Sequence, residues 1–289
     1  MAGAVTSRFI GPPDREAALD YLSRDSVANL FLLDLTARLG RSPEPGEGAT
    51  EIVGAWCNDD IIGMAGLRPS VVLDAGSGKE VIEEFLPYME SLSVGLVKSF
   101  APVVDELWSR LSKRCSRRAI IDRVETTYVL REVDARLVEA RPDERGRVAT
   151  DRDLGNLVIA ARESLREESR PDPFSGDIKG FQRWVRGRVP RARVVEFEGQ
   201  VAMVGYADVQ RPEGWLLQGI YTWPEYRRRG IASFGLSEFC REAFRAGTDH
   251  VQLAVVDDNS LSIDACVGRA VARDQKSGRD ALAHERVLV

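Results

Sequence analysis

The chain has 289 residues, of which 44% are hydrophobic and 29% are charged. This is the composition of an ordinary soluble globular protein, and the length is generous for one domain and comfortable for two. The net charge of -5 argues against nucleic acid as the main partner, because phosphate binding needs a concentrated basic surface. No run approaches the roughly 18 apolar residues that a membrane-spanning helix needs. We therefore expect neither a nucleic acid nor a membrane as partner.

The cysteines and histidines are too few and too scattered to suggest a metal centre. The four cysteines form no CxxC pair, which argues against a zinc site or a disulfide framework. The first residues, MAGAVTSRF, lack the basic start and long apolar run of a secretory signal peptide. We predict a cytoplasmic protein with reduced thiols and no metal. The residues concerned are Cys57, Cys115, Cys240, Cys266, His250 and His284.

The first part of the chain, residues 1–133, is predicted to form one domain. Apolar residues at helical spacing follow Pro13-Asp14 and predict a helix that runs to about residue 40. After a Pro- and Gly-rich loop, two strand-like runs separated by Asn58-Asp59-Asp60 predict a hairpin. The predicted strands are 51–57, 61–67, 95–100, 119–124 and 127–130, and the later predicted helices are 79–92 and 103–113.

The second part, residues 134–289, shows a similar alternation and is predicted to form a second domain. Thr150 followed by Asp153 is typical of a capping box and predicts a helix to about residue 168. The other predicted helices are 178–185 and 231–246, the latter ended by Gly247, and the predicted strands are 137–138, 192–198, 201–209, 215–221 and 251–256. Together the two parts predict an α/β (α+β) fold, with a mixed central sheet flanked by helices in each unit.

The most informative segment is 218–233, where a strand enters a tight loop that leads directly into a helix. Backbone N–H groups at a helix start have no intrahelical partner, and with the helix dipole they form an anion site. Gly230 and Ala232 keep the backbone accessible, so a diphosphate could approach closely. The three arginines 227–229 add positive charge in the same place.

This segment resembles the pyrophosphate loop of the GNAT (N-acetyltransferase) superfamily, which reads Arg/Gln-x-x-Gly-x-Gly/Ala. Arg227, Gly230 and Ala232 match that pattern, and the order of predicted elements in 134–256 is similar to that of the family. The resemblance implies acetyl-CoA as co-substrate, with its pantetheine arm paired to the preceding strand and its diphosphate held by loop amides. The residues implied in this binding are Gly219, Ile220, Tyr221, Thr222, Arg227, Arg228, Arg229, Gly230, Ile231, Ala232 and Ser233.

The N-terminal part also has a resemblance. The segment 22–31 is similar to the leading region of bacterial two-part GNAT proteins, in which a degenerate GNAT-like unit precedes the active one. The first part of this chain has no Arg-x-x-Gly-x-Gly/Ala loop. Gly76-Ser77-Gly78 could cradle an anion or form a simple turn and helix cap. We predict a structural or substrate-shaping role for this unit.

The candidate catalytic residues are Asp208 and Tyr221. Asp208 stands where many GNAT members carry an acidic residue and is the candidate general base, although an aspartate in an apolar strand can also be simply partnered. Tyr221 is a candidate acid that faces either the cleft or the core. Asn259 is implied as a cofactor contact, and an ordinary helix N-cap explains it equally well.

The sequence departs from the GNAT pattern after Asn259. The position of the family's usual Tyr acid falls at or near Cys266, and a thiol is a poor substitute for a phenol that donates a short hydrogen bond. Residues 264–289 also contain no aromatic residue. The absence of the usual Tyr acid weakens the case for catalytic turnover more than the case for acetyl-CoA binding.

The sequence therefore predicts an acyl-CoA-dependent N-acyltransferase, one that transfers acetyl from acetyl-CoA to an amine that the sequence does not identify. The alternative is a non-catalytic acyl-CoA-binding or regulatory protein with a degenerate active site. The expected partners are acetyl-CoA and an amine acceptor, and a homodimer is left open.

Overall fold

A computed structural model of the protein describes residues 4–43, 49–68, 70–92, 95–256 and 282–288. The described chain divides into two compact units: the first takes the residues up to Thr127 together with 282–288, and the second takes Tyr128 to Val256. The prediction placed the C-terminal segment in the second domain, whereas contacts group 282–288 with the first unit. The division of the chain into functional domains 1–133 and 134–289 stays a prediction.

The first unit is a mixed sheet with helices. Its elements are β1 (Val5–Phe9), α1 (Arg15–Ser23), α2 (Ser26–Ala37), β2 (Glu51–Cys57), β3 (Asp60–Arg68), β4 (Val71–Leu73), α3 (Lys79–Glu90), β5 (Gly95–Phe100), α4 (Ala101–Arg114) and β6 (Ala119–Leu130). The last described strand of the chain, Leu282–Leu288, is antiparallel to both β5 and β6 and is inserted between them. The strand order is therefore β1-β2-β3-β4-β5, then this strand, then β6.

Two predictions for the first unit were wrong in detail. The single helix expected up to residue 40 is two helices, because the Asp25 carboxylate accepts a hydrogen bond from the Ala28 N–H at 3.1 Å and caps α2. The strands expected over 119–124 and 127–130 are one continuous strand, β6. The charged Glu125 lies between the two predicted strands. The strand continues through it because its side chain is buried in an ion pair with Lys98, at 2.6 Å.

The second unit contains the segment with the predicted anion site. Its elements are β7 (Glu144–Val148), α5 (Leu154–Glu167), α6 (Ile178–Arg188), β8 (Ala192–Phe197), β9 (Gln200–Arg211), β10 (Gly214–Thr222), α7 (Ile231–Arg245) and β11 (Val251–Val256). The strand order is β11-β10-β9-β8-β7; β10 and β11 are parallel, and the other pairs are antiparallel. The strand Leu282–Leu288, described above with the first unit, is β12.

Most local predictions for the second unit are confirmed. The capping box has a 2.8 Å hydrogen bond from the Thr150 N–H to Asp153, and it opens the turn that leads into α5. Gly247 follows α7 with φ +79°. The strand expected near 137–138 was wrong, because the Val138 N–H donates to the Ser237 hydroxyl at 2.9 Å and the edge strand is β7.

Helices cover both faces of the second sheet. Neighbouring residues of β9 alternate between two buried clusters: Tyr206 packs with α5 and α6, and Ala207 packs with α7. Because successive strand side chains point to opposite faces, the two clusters lie on opposite sides of the sheet. Full burial of a side chain such as Phe181 or Phe239 stabilises the fold by about 1.5–3 kcal/mol. Residues of β10 also belong to both clusters, so this strand is packed from both faces of the sheet.

Candidate functional site

The strands β10 and β11 separate at the end where the predicted loop lies. They pair in parallel over only three positions, which end at Leu217 and Leu253. Both strands continue beyond that point, β10 to Thr222 and β11 to Val256, and no further pairing joins these described residues. Among the described residues, the backbone of β10 on this side thus has no strand partner beyond Leu217.

A β-bulge lies where the two strands begin to separate. The pairing of β10 with β9 shifts between Gln218 and Tyr221, which leaves Gly219 and Ile220 out of register. Gly219 is exposed and has φ +58°, and a Cβ at this position would lie 3.0 Å from Cδ2 of Tyr206. Only glycine fits both the conformation and the close ring contact. Ile220 packs on the α7 face, so its side chain has an ordinary core role.

The start of α7 is open. Gly230 is the N-cap with φ +83°, no side chain caps the helix, and a Cβ on Gly230 would meet no atom of the described chain within 4 Å. The first intrahelical bond runs from the Phe234 N–H to the Gly230 carbonyl at 3.0 Å. Because the amides of a first turn have no partner within the helix, those of Ile231 and Ala232 stand where the sequence predicts an anion site.

The side chains in the first turn of α7 pack into the core. Ile231 is buried with Phe234, and Ala232 packs against the same cluster. The Ser233 carbonyl accepts a hydrogen bond from the Ser237 hydroxyl at 2.8 Å. Any binding by this turn would therefore be main-chain binding, as the sequence pattern implies.

The three loop arginines differ in their surroundings. Arg227 donates to the Glu167 carboxylate at 2.7 and 2.9 Å and to the Thr222 carbonyl at 2.9 Å. Arg228 is exposed and adopts φ +59°, a conformation that costs about 1–2 kcal/mol for a residue with a Cβ. Arg229 is exposed and lies over the aromatic rings of Phe197 and Tyr226. The last two side chains have no acidic partner among the described residues.

Asp208, the candidate base, is held by an arginine that the sequence analysis did not single out. Both carboxylate oxygens accept hydrogen bonds from Arg188, one of them from Nε at 3.2 Å. The Arg188 guanidinium also lies 3.9 Å from the ring centroid of Tyr206 and 4.9 Å from that of Trp184. No local sequence signal links Arg188 to Asp208, because they are 20 residues apart on a helix and a strand.

Two tyrosines near the bulge stay protonated. Burial raises the pKa of Tyr206 to about 12, and its hydroxyl has no hydrogen-bond partner among the described residues. Burial and, secondarily, the charge of Glu167 raise the pKa of Tyr221. Tyr221 is buried on the α5 and α6 face, where its ring contacts that of Trp223. Its catalytic role stays a prediction, as does that of Asp208.

Asn259 and Cys266 lie outside the described residues. Among the residues that the structure does describe, no group of three or more His, Cys, Asp and Glu side chains could hold a metal ion. Over the same residues, every helix is too short or too polar to span a membrane.

The first unit contains a turn of similar topology that is filled by its own carboxylate. There, β2, β3 and β4 form the meander, α3 follows, and β5 is parallel to β4, as α7 and β11 follow β10 in the second unit. In the loop before α3 the buried Asp74 accepts hydrogen bonds from the Met64 N–H at 2.7 Å, the Gly76 N–H at 2.9 Å and the Ser77 hydroxyl at 2.6 Å. These donors are therefore not available to an external anion.

Residues 158–266 match a family model described as "Acetyltransferase (GNAT) family". The chain therefore carries a domain of the GNAT family in this range, and the predicted recognition is confirmed. A search of curated protein sequences gave no significant match.

Solved structures with similar folds extend the comparison to the whole chain. A Drosophila protein has a TM-score of 0.69 at 13% identity, over 98% of both chains. A GCN5-related N-acetyltransferase from Sphaerobacter thermophilus has a TM-score of 0.56 at 14% identity, over 99% of this chain and 95% of that one. A tandem GNAT protein from the clavulanic acid biosynthesis pathway has a TM-score of 0.51 at 11% identity, over 98% of both. The predicted fold of tandem GNAT-like units is thus confirmed.

Proposed function

We propose that the chain is an acyl-CoA-dependent N-acyltransferase that moves an acetyl group from acetyl-CoA to an amine. The observation that carries this proposal is the open start of α7, where Gly230 leaves main-chain amides accessible beside Arg228 and Arg229, which have no acidic partner in the described part of the chain. A doubly charged diphosphate matches this combination of amide donors, helix dipole and guanidinium groups.

The residues around the cleft fit the remaining parts of acetyl-CoA. The amides of Gly230, Ile231 and Ala232 would hold the diphosphate, with Arg228 and Arg229 adding charge. The unpaired edge of β10 beyond Leu217 would hold the pantetheine arm. Acetyl-CoA supplies an acyl group that is already activated, so the protein needs chiefly to orient it and to accept a proton from the amine.

Within this proposal, Asp208 is the proton acceptor and Tyr221 a proton donor. Asp208 is close to the bulge through its contact with Arg188, whose Nη2 lies 3.9 Å from the Cβ position of Gly219. The buried, protonated Tyr221 follows the bulge on the same strand. The support for these two roles is the position of both residues beside the bulge.

One observation favours the alternative of a non-catalytic acyl-CoA-binding protein. Both oxygens of Asp208 already accept hydrogen bonds from Arg188, which leaves fewer lone pairs for a proton from the acceptor. The two functions differ in turnover and share acetyl-CoA binding. Release of free thiol from acetyl-CoA in the presence of an amine panel therefore distinguishes them.

Binding itself is tested by a matched pair of glycine substitutions. Gly230 and Gly247 stand at the two ends of α7, have φ +83° and +79°, and both face open space. Leucine at either position costs a similar amount of backbone strain, about 1–2 kcal/mol. We expect Gly230→Leu to abolish the rise in melting temperature that saturating acetyl-CoA produces, and Gly247→Leu to retain it. Full binding by Gly230→Leu would refute the proposal.

A further inference from the structure

The ion pair between Arg188 and Asp208 lies beside the bulge, where transfer would occur. Both side chains are largely buried, with 14% and 12% of their surface exposed. Gly219 itself is exposed, and Nη2 of Arg188 lies 3.9 Å from the position of its Cβ. A positive and a negative group thus stand side by side at an accessible point of the β10 backbone.

The guanidinium of Arg188 retains hydrogen-bonding capacity. It has five N–H donors in a planar fork, and Asp208 uses only the edge formed by Nε and Nη2. Over the described part of the chain, no acceptor contacts Nη1. Stacking on the Tyr206 and Trp184 rings fixes the plane of the group, so its second edge is presented in a defined direction.

We propose that the acceptor is an amino carboxylate, such as an α-amino acid, whose carboxylate binds the second edge of Arg188 while its amine faces Asp208. This rests on the proposed function. A lone anion would leave the site with excess negative charge, because Asp208 already balances Arg188. A lone ammonium would meet a guanidinium at close range. A zwitterion brings one charge of each sign to the pair and keeps the cluster neutral.

The same arrangement accounts for the protons of the transfer. An ammonium acceptor forms one N–C bond as the acyl C–S bond breaks, and it gives up two protons overall. One proton ends on the departing sulfur as thiol, and Asp208 takes the other and passes it to solvent. An acceptor carboxylate on the second edge of Arg188 shares the guanidinium charge with Asp208, which weakens the charge-assisted hydrogen bonds that Asp208 accepts and lets it take this proton.

The test compares each of a set of amino acids with its amide and with the amine that lacks the carboxylate, for example glycine, glycinamide and methylamine. We expect kcat/KM for thiol release to be at least about tenfold higher for the amino acid, since hydrogen bonds to charged groups carry this much discrimination. Arg188→Gln should abolish the preference. Arg188→Lys, which keeps the charge but loses the fork, should retain only part of it.

Arg193→Gln is the matched control. Arg193 forms a similar pair with Glu242, with two hydrogen bonds, and its side chain is 13% exposed. Its partner Glu242 belongs to α7, so this pair lies against that helix and not beside the bulge. We expect Arg193→Gln to keep the preference for carboxylates. The inference is overturned if the parent protein accepts amides as well as amino acids, or if Arg188→Gln slows all acceptors equally, as a purely structural ion pair would.

Failure of the proposed function has a different signature. If acetyl-CoA binds but no amine releases thiol, transfer is refuted, and calorimetry on the chain saturated with coenzyme A then decides the inference. If amino acids bind more tightly than their amides, and this preference is lost in Arg188→Gln and kept in Arg193→Gln, the result would support the site. Equal or absent binding would overturn it.

Discussion

The Arg227 guanidinium donates two hydrogen bonds to the Glu167 carboxylate, at 2.7 and 2.9 Å. Its Nε also donates to the carbonyl of Thr222. One side chain thus ties the end of α5 to the end of β10, immediately before the open start of α7. Arg227, although it matches the family pattern, acts here as a clamp on the loop, whereas Arg228 and Arg229 have no acidic partner within the residues that the structure describes.

Breaking this clamp should loosen the loop without unfolding the protein. Glu167 and Arg227 are 40% and 31% exposed, so we expect Glu167→Gln to cost under about 1 kcal/mol of unfolding free energy. A less ordered loop must be ordered on binding, and acetyl-CoA affinity should therefore fall about three- to tenfold in calorimetry. The control is Glu163→Gln, which removes only a pair with Arg166 on the same helix. Equal losses in both variants would show that the clamp has no role in binding.

Arg228 combines a strained backbone with a charge that we propose binds the diphosphate. Its φ of +59° disfavours any residue with a Cβ, so Arg228→Gly should match or exceed the parent protein in stability, by up to about 1 kcal/mol in urea unfolding. The same variant should bind acetyl-CoA more weakly, with a smaller dependence on salt, because one guanidinium is lost.

Arg228→Ala separates the two effects, since it removes the charge and keeps the strain. We expect it to lose the same affinity without the gain in stability. An Arg228→Gly variant that binds acetyl-CoA as tightly as the parent would show that this side chain does not contact the ligand.

Local patterns predicted the meander, the open loop and α7, because alternation, turn residues and helix ends leave signals within a few residues. The sequence predicts that Gly247 ends α7, and its φ of +79° fits that role. The left-handed φ of +83° at Gly230 is not predicted from the sequence. The pairing of Arg188 with Asp208 could not be predicted, because side chains brought together by tertiary packing leave no periodic signal. The insertion of β12 between β5 and β6 depends on contacts more than 150 residues apart, which no local pattern encodes.

The hydrogen bonds that Asp74 accepts lead to a prediction of how many acetyl-CoA molecules each chain binds. Because Asp74 accepts hydrogen bonds from the Gly76 amide and the Ser77 hydroxyl in the turn before α3, we expect calorimetry to find one acetyl-CoA per chain. Asp74→Ala should lower the unfolding free energy by about 3–5 kcal/mol, since it leaves several buried donors without an acceptor.

Asp14→Ala is the control, because this carboxylate also accepts an amide hydrogen bond, from Gly11, but is 19% exposed and belongs to a surface pair. Its loss should cost about 1 kcal/mol. A second acetyl-CoA bound by the parent protein would contradict the assignment of the first unit as a unit that does not bind the cofactor.

The capping box before α5 is expected to make the unfolding free energy of the protein fall in acid. Two hydrogen bonds from Arg147, each 2.8 Å, and one from the Thr150 N–H lower the pKa of Asp153 to about 2. A folded-state pKa below the unfolded value of 3.8 means that the stabilisation is complete above about pH 4 and is lost as the pH falls toward 2. The difference corresponds to about 2 kcal/mol.

We therefore expect Asp153→Asn to be less stable than the parent by about 2 kcal/mol in urea unfolding at pH 6, with the gap narrowing steadily between pH 4 and pH 2.5. Asp151→Asn, an exposed substitution in the same turn, should show no such gap. A difference that stayed constant over this range would mean that Asp153 stabilises α5 by its hydrogen-bonding geometry alone, because a contribution from its negative charge has to disappear when the carboxylate is protonated.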